Sequence, residues 1–259
     1  MDIRYFKATW GMDGSLEDQL RRIKAAGFHG VEAGLPENPS EFRKAAEGSG
    51  LAFAAIAFPQ SPDDVKCALD SAVSSGACLL NLHSGKDWWP FGEGVRFLQH
   101  VQRIQEGAPI PVCHETHRGR LFFAPAVTAA YIAEVPGVAV AADFSHWTCV
   151  CESMLSDQEP ALKTAIGHTI HIHARVGHEE GPQVSDPRAP EFRGHIEAFV
   201  SWWQRIVDSA RARGQAWLGI DPEFGPPGYM QTLPYTRLPV ADLWDVCVWT
   251  RDFLHGRLR

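Results

Sequence analysis

No run of apolar residues in this chain approaches the roughly 20 needed to cross a bilayer. Met1-Asp2-Ile3-Arg4 opens no signal peptide, so a cytoplasmic protein without membrane association is expected. Neither GxGxxG nor a GxxxxGKS/T phosphate loop follows any apolar run, which weakens an open nucleotide-binding sheet. Basic residues are outnumbered, 24 Lys and Arg against 31 Asp and Glu, and the net charge of −7 argues against a nucleic-acid partner. The six cysteines lack zinc-finger spacing, Cys149 and Cys151 forming only a CxC pair, and suit reduced, buried thiols. No linker, composition shift or low-complexity stretch divides the chain, so residues 1–259 are expected to form one domain.

What the chain does have is alternation. Strand-like apolar runs fall at Tyr5–Trp10, Gly30–Leu35, Phe53–Phe58, Leu79–His83, Pro111–Glu115, Val138–Asp143, Thr169–Arg175 and Trp217–Glu223. Between them lie stretches with apolar residues three and four apart: Leu16–Ala26, Ser40–Glu47, Pro62–Ser74, Val95–Gln105, Pro125–Ala133, Pro160–Ile166, Glu197–Arg211 and Val240–His255. Ser15 is placed to cap the first of these, and glycines follow several of the others. Strand-helix alternation implies parallel strands, because parallel neighbours need a crossover connection. Eight units of about 32 residues each match a single α/β (β/α)8 barrel. The long irregular segment Gly177–Gly194 reads as a lid over whatever site the barrel carries.

Four strand ends carry carboxylates or imidazoles: HET at Glu115, ADFSH at Asp143 and His146, HIHAR at His171 and His173, and DPEF at Glu223. Side chains alternate faces along a strand, so Thr169, His171, His173 and Arg175 share one face against Ile170, Ile172 and Ala174 on the other. The apolar face should meet the helices, which turns the polar one into the barrel. The same parity turns Asp143, Gly219, Asp221 and Glu223 inward, and it suits Glu32, Asn81, His83 and Glu115. Carboxylate oxygens and imidazole nitrogens suit a hard or borderline divalent cation. Taken singly, each residue has a plainer reading: Asp143 can cap a helix, His173 can be a bonded core imidazole, and Glu223 can fix a turn. Their convergence at one barrel mouth favours a metal site. His114 has the opposite parity and reads as structural, while His117, Trp88, Trp89 and Trp147 follow strand ends where they could line the cleft. Trp202 and Trp203 lie on a helix and read as core. Arg175 and Arg188 are the candidates for holding an anionic substrate group.

From the GFHGVEAG segment at Gly27–Gly34 through Glu115, Asp143-x-x-His146, a strand-seven histidine and Glu223, the chain resembles the xylose-isomerase-like barrel family. Its members include sugar and sugar-phosphate isomerases and epimerases, inosose dehydratases and endonuclease IV. The resemblance implies one divalent ion (Mn2+, Mg2+, Co2+ or Zn2+) held by Glu115, Asp143, His173 and Glu223, with His171 the alternative to His173. It implies Glu115, Glu223 and His146 as the catalytic set, and His83, His117, Arg175, Arg188 and Trp147 as substrate contacts. The substrate implied is a small polyhydroxy carbonyl compound, isomerised or epimerised by proton transfer through a metal-stabilised enediolate, and a homodimer or homotetramer is compatible. A sugar-acid or inosose-type dehydratase is the alternative, with an abasic-site endonuclease and a non-catalytic sugar-binding barrel behind it. The chain departs from the family at Val176, where an acidic residue often follows the strand-seven histidine. For a three-zinc nuclease, Phe58 stands where a histidine is needed, and Asp186-Pro187-Arg188 replaces an Asp-x-His pair.

Overall fold

The computed structural model describes residues 1–259. Its strands are β1 (Asp2–Ala8), β2 (Gly30–Gly34), β3 (Ala52–Ala57), β4 (Leu79–Leu82), β5 (Val112–Glu115), β6 (Val140–Ala142), β7 (Thr169–His173) and β8 (Trp217–Asp221). They pair in parallel in that order, and β8 returns to β1 to close a barrel. Around it run α1 (Leu16–Ala25), α2 (Pro39–Ser49), α3 (Pro62–Ser74), α4 (Phe91–Gln105), α5 (Pro125–Glu134), α6 (Ser145–Val150), α7 (Glu159–His168), α8 (Arg193–Ala212) and α9 (Leu243–Arg257). The (β/α)8 architecture is the one the alternation implied.

Local chemistry sets many of the boundaries. Ser15 accepts from the Asp18 backbone N–H at 3.2 Å and starts α1. Ser61 and Asp64 form a reciprocal capping box around Pro62 at the start of α3. Gly50 ends α2 in the left-handed region at φ 62°, where a Cβ would be strained. Two boundaries differ from the sequence reading, the first for a tertiary reason and the second for a local one. β1 begins at Asp2 rather than Tyr5, because Asp2–Tyr5 finds its ladder partner in β8, at the other end of the chain. α6 directly follows Asp143, whose Oδ1 accepts the Ser145 backbone N–H at 3.1 Å.

Strand parity sorts the interior as expected. Outward residues such as Val31, Leu80, Ile172 and Ile220 join the helices in one large apolar core, to which Trp202 and Trp203 also belong. Inside the barrel, Phe6, Ala54, Leu79, Cys113 and Ala141 form a dry plug. Gly30 leaves room for the Phe6 ring, since a Cβ there would lie 2.4 Å from it. Above the plug the barrel turns polar, with Glu32, Asn81, Glu115, Asp143, His171, His173 and Asp221 all buried.

In the structure residues 177–194 do not cover the cavity at the barrel mouth. The Gln183 amide exchanges two hydrogen bonds with the Gly225 backbone, at 2.6 and 3.1 Å, and Val184 N–H donates to Val176 at 2.9 Å. Gln183 and Val184 are buried, so the segment braces the chain beyond β8, and none of its residues lines the cavity at the barrel mouth.

Candidate metal centre

The mouth of the barrel holds a cavity of about 380 Å3 into which Glu32, His83, Glu115, His117, His173, Arg175, Asp221 and Glu223 all face. Glu32, on β2, is fully buried. One of its oxygens accepts from His173 Nε2 at 2.8 Å and the other from His171 Nε2 at 2.9 Å. A carboxylate can only accept, so both rings carry a proton on Nε2 and turn Nδ1 away from Glu32. The Nδ1 of His173 points up into the cavity, 3.0 Å from Glu223 Oε2 and 3.4 Å from Glu115 Oε2. The Nδ1 of His171 points down toward Gly219, where a Cβ would stand 2.3 Å from it. The HIH ambiguity is thereby reduced to geometry: His173 alone of the two histidines faces Glu115 and Glu223.

Glu115 is braced by Asn81 Nδ2, 2.6 Å from its Oε2, and by His83 Nε2 at 2.8 Å. Asp143 is more heavily committed. Its Oδ1 takes the Ser145 backbone N–H and hydroxyl, and its Oδ2 is bonded by Arg175 through Nε and Nη2. Arg175 Nη2 also lies 3.4 Å from Glu223 Oε2 and 3.2 Å from His146 Nε2. Asp143 is thus both the start of α6 and a member of the polar centre.

The electrostatics follow from burial set against neighbours. Burial opposes ionisation of Glu115, but His83 and His173 outweigh it and hold the carboxyl well below the usual range. Burial likewise opposes ionisation of Glu223, and Arg175 and His173 outweigh it and lower its pKa. For Asp143 burial wins over the Arg175 guanidinium and raises its pKa to about 6. Burial works against a charged His173, yet Glu32, Glu115 and Glu223 push its pKa well up. His117 and His146 are kept neutral mainly by burial, His117 at about 4. Asp221, with neither oxygen hydrogen-bonded, is raised well above 3.8 by burial and then by Glu32.

These donors fit a divalent cation. The ligand atoms of Asp143, His173 and Glu223 lie within 4.8 Å of one another, and so do those of Glu115, Asp143 and His146. His173 Nδ1 and Glu223 Oε2 have no well-aligned hydrogen-bond partner. The Glu32–His173 pair fixes the ring in the tautomer a metal needs, the usual arrangement around ligating histidines. Asp143 is the least free of the four, because Arg175 already shares its outer oxygen.

Several expected substrate contacts lie elsewhere. His146 is fully buried behind Arg175, its ring 3.8 Å from that of His117, and it does not line the cavity. Trp147 donates Nε1–H to Phe122 at 2.9 Å and stacks on Phe144 in the core. Arg188 is closed on Asp186 by three side-chain bonds at 2.6–3.1 Å. Trp88 is 74% exposed, and Trp89 packs on Phe97. His114 faces the helices and pairs with Ser84 at 2.6 Å, as its parity implied. His83, His117 and Arg175 do line the cavity, together with Trp10, Phe58 and Tyr229, which pattern reading passed over. Tyr229 lies in a Pro/Gly-rich loop with no periodicity to mark it. Glu32 was legible only as an inward-facing residue, since its two histidine partners are 139 and 141 positions away.

No family model matches the sequence, and no curated protein matches it. Solved structures do. An AP endonuclease of family 2 from Brucella melitensis superposes with a TM-score of 0.61 at 17% identity, over 88% of this chain and 94% of that one. The probable 3-DHS dehydratase AsbF of petrobactin synthesis from Bacillus anthracis gives 0.63 at 13%, over 98% and 99%. A xylose isomerase-like TIM barrel protein from Mycobacterium smegmatis in complex with magnesium gives 0.63 at 14%, over 98% and 95%. At such identities the likeness establishes the fold, that of xylose isomerase-like barrels.

Proposed function

We propose that the protein is a divalent-cation-dependent isomerase or epimerase that moves a proton at the carbon beside a carbonyl of a small hydroxycarbonyl compound. The observation that carries this reading is the approach of Glu115 and Glu223 to one imidazole nitrogen from β5 and from beyond β8, at 3.4 and 3.0 Å. His173, Glu223 and Glu115 would hold the ion, with Asp143 shared between it and Arg175. When bound, the ion polarises the carbonyl and offsets the charge of the enediolate.

The chain's own residues supply the rest. Glu223 is held ionised by Arg175 and His173, and its Oε2 has no aligned donor, so it takes the proton from carbon. Glu223 then returns that proton to the neighbouring carbon, while Glu115, held ionised between Asn81 and His83 on the β5 side, relays the hydroxyl proton between the two oxygens. His146 acts as a positioning residue that holds Arg175. A nucleic-acid substrate is disfavoured, because four carboxylates line the cavity against one guanidinium.

The test is proton exchange. In D2O with Mn2+ and a panel of 2-ketoses and hydroxyketones, NMR should show C–H replaced by C–D, accompanied by the isomer or epimer. Glu223→Gln should slow exchange by about 10^2–10^4-fold. Full exchange in a metal-loaded Glu223→Gln protein would refute the assignment, and loss of water from the substrate by mass spectrometry would indicate a dehydratase instead.

A further inference from the structure

We propose that the substrate carries an apolar ring at the end remote from the reacting carbonyl. The inference rests on the hydroxycarbonyl reading above and names the class of compound within it. The cavity has two unlike ends. Its floor is the carboxylate and imidazole cluster; its upper wall is Ala8, Ala33, Gly34 and Ile56, with Trp10, Phe58 and Tyr229 at the rim. Beyond the Trp10 and Tyr229 tips, Thr9 brings the one neutral polar side chain to this wall. A substrate hydroxylated along its whole length would leave hydroxyl groups there without partners, which binding penalises.

The rim aromatics are exposed and held in place. Trp10 is 41% and Phe58 56% exposed, although both border a cavity. Trp10 meets the Tyr229 ring edge-on at 5.0 Å and 89°. It also lies over Gly225, where a Cβ would come within 2.5 Å of it. Tyr229 is fixed in turn by Arg175 and Arg118, whose guanidinium carbons stand 4.6 and 5.0 Å from its ring centre. Phe58 packs on His83 at 4.6 Å, with Arg120 at 5.4 Å. Preorganised aromatic faces of this kind bind flat apolar groups at little entropic cost. At Gly34 a Cβ would meet nothing within 4 Å, so open space lies beside this wall.

Arg175 is the single guanidinium lining the cavity, and its Nε and Nη2 are spent on Asp143 at the floor, away from the apolar wall.

The experiment uses the full chain and three ligands that share a HOCH2–CO–CH2– head and differ in the last group: phenyl, hydroxyl or phosphate. Titration calorimetry of the Mn2+-loaded protein should show the phenyl compound binding at least about tenfold more tightly than dihydroxyacetone. Dihydroxyacetone phosphate should bind less tightly than the phenyl compound. Trp10→Ala should erase the phenyl preference, and so should Gly34→Leu, which fills the apolar end without touching the floor; thermal melts confirm that both fold. Tightest binding of the phosphate, equal or absent binding of all three, or a phenyl preference that survives both substitutions would overturn the proposal. Failure of the chain to bind Mn2+ would count against the metal reading alone, because the same calorimetry on ion-free parent and Trp10→Ala proteins still reads the ring preference.

Discussion

Glu32 touches no substrate in the proposed reaction, yet it should control the metal. Its carboxylate holds both His171 and His173 through a proton on Nε2, and only with Nε2 so held can His173 yield its Nδ1, beside Glu115 and Glu223, to an ion. In Glu32→Gln one side-chain oxygen can still accept from one histidine, but the amide N–H2 must face the other. That ring then accepts at Nε2 and moves its proton to Nδ1. If the ring is His173, the nitrogen meant for the ion is protonated; if it is His171, the pair is still weakened. Loss of such a support typically costs 10–100-fold in metal affinity, or about 1.4–2.7 kcal/mol. One charge-assisted bond becomes a poor contact in a fully buried setting, which should lower stability by about 1.5–3 kcal/mol. Glu32 is ionised despite burial because His173 and His171 hold its pKa far down, so the exchange also removes a charge that helps attract the cation. Calorimetric Mn2+ titration and urea unfolding of the variant against the parent measure the two effects separately. A folded Glu32→Gln protein that binds Mn2+ within twofold of the parent would show that the tautomer argument is wrong.

The two histidines separate in the same assay: His173→Gln should abolish Mn2+ binding, whereas His171→Gln should weaken it only a few-fold, and equal losses would contradict the geometry. Arg175→Met leaves Asp143 buried without its guanidinium, which should cost about 3–5 kcal/mol in ion-free protein. Mn2+ should restore part of that by taking up Asp143 and Glu223, so an identical loss with and without Mn2+ would count against Asp143 as a shared ligand. Burial pushes the Cys247 thiol up to about 11 from 9.0. Above pH 9 the unfolded chain ionises there while the folded one does not, so this contribution is complete below pH 9 and is lost as pH rises through 11. The gap in unfolding free energy between parent and Cys247→Ala should narrow by about 2 kcal/mol from pH 8 to 11; a constant gap in urea titrations would refute it.

The fold was written locally. Apolar runs alternating with helical periodicity, Ser15 and the Ser61–Asp64 box, and glycines after helices each act over a few residues, and a parallel barrel follows from repeating them eight times. Strand parity also acts locally, which is why the inward faces of β5 to β8, and with them Glu115, Asp143, His173 and Glu223, could be read from the chain. What tertiary structure decided are relations between residues that no local rule connects. Glu32 chooses the face of His173 from 141 positions away. Arg175 is drawn onto Asp143 instead of toward a ligand. Trp147 finds its partner at Phe122, 25 positions away, and so leaves the site. Trp10, Phe58 and Tyr229 meet at the rim only because closure of β8 on β1 brings the two ends of the sequence together. Hydrogen bonding and ion pairing are short-ranged and satisfied by whichever partner the closed barrel brings near, so the composition of the site lay in the sequence while its wiring waited for the fold.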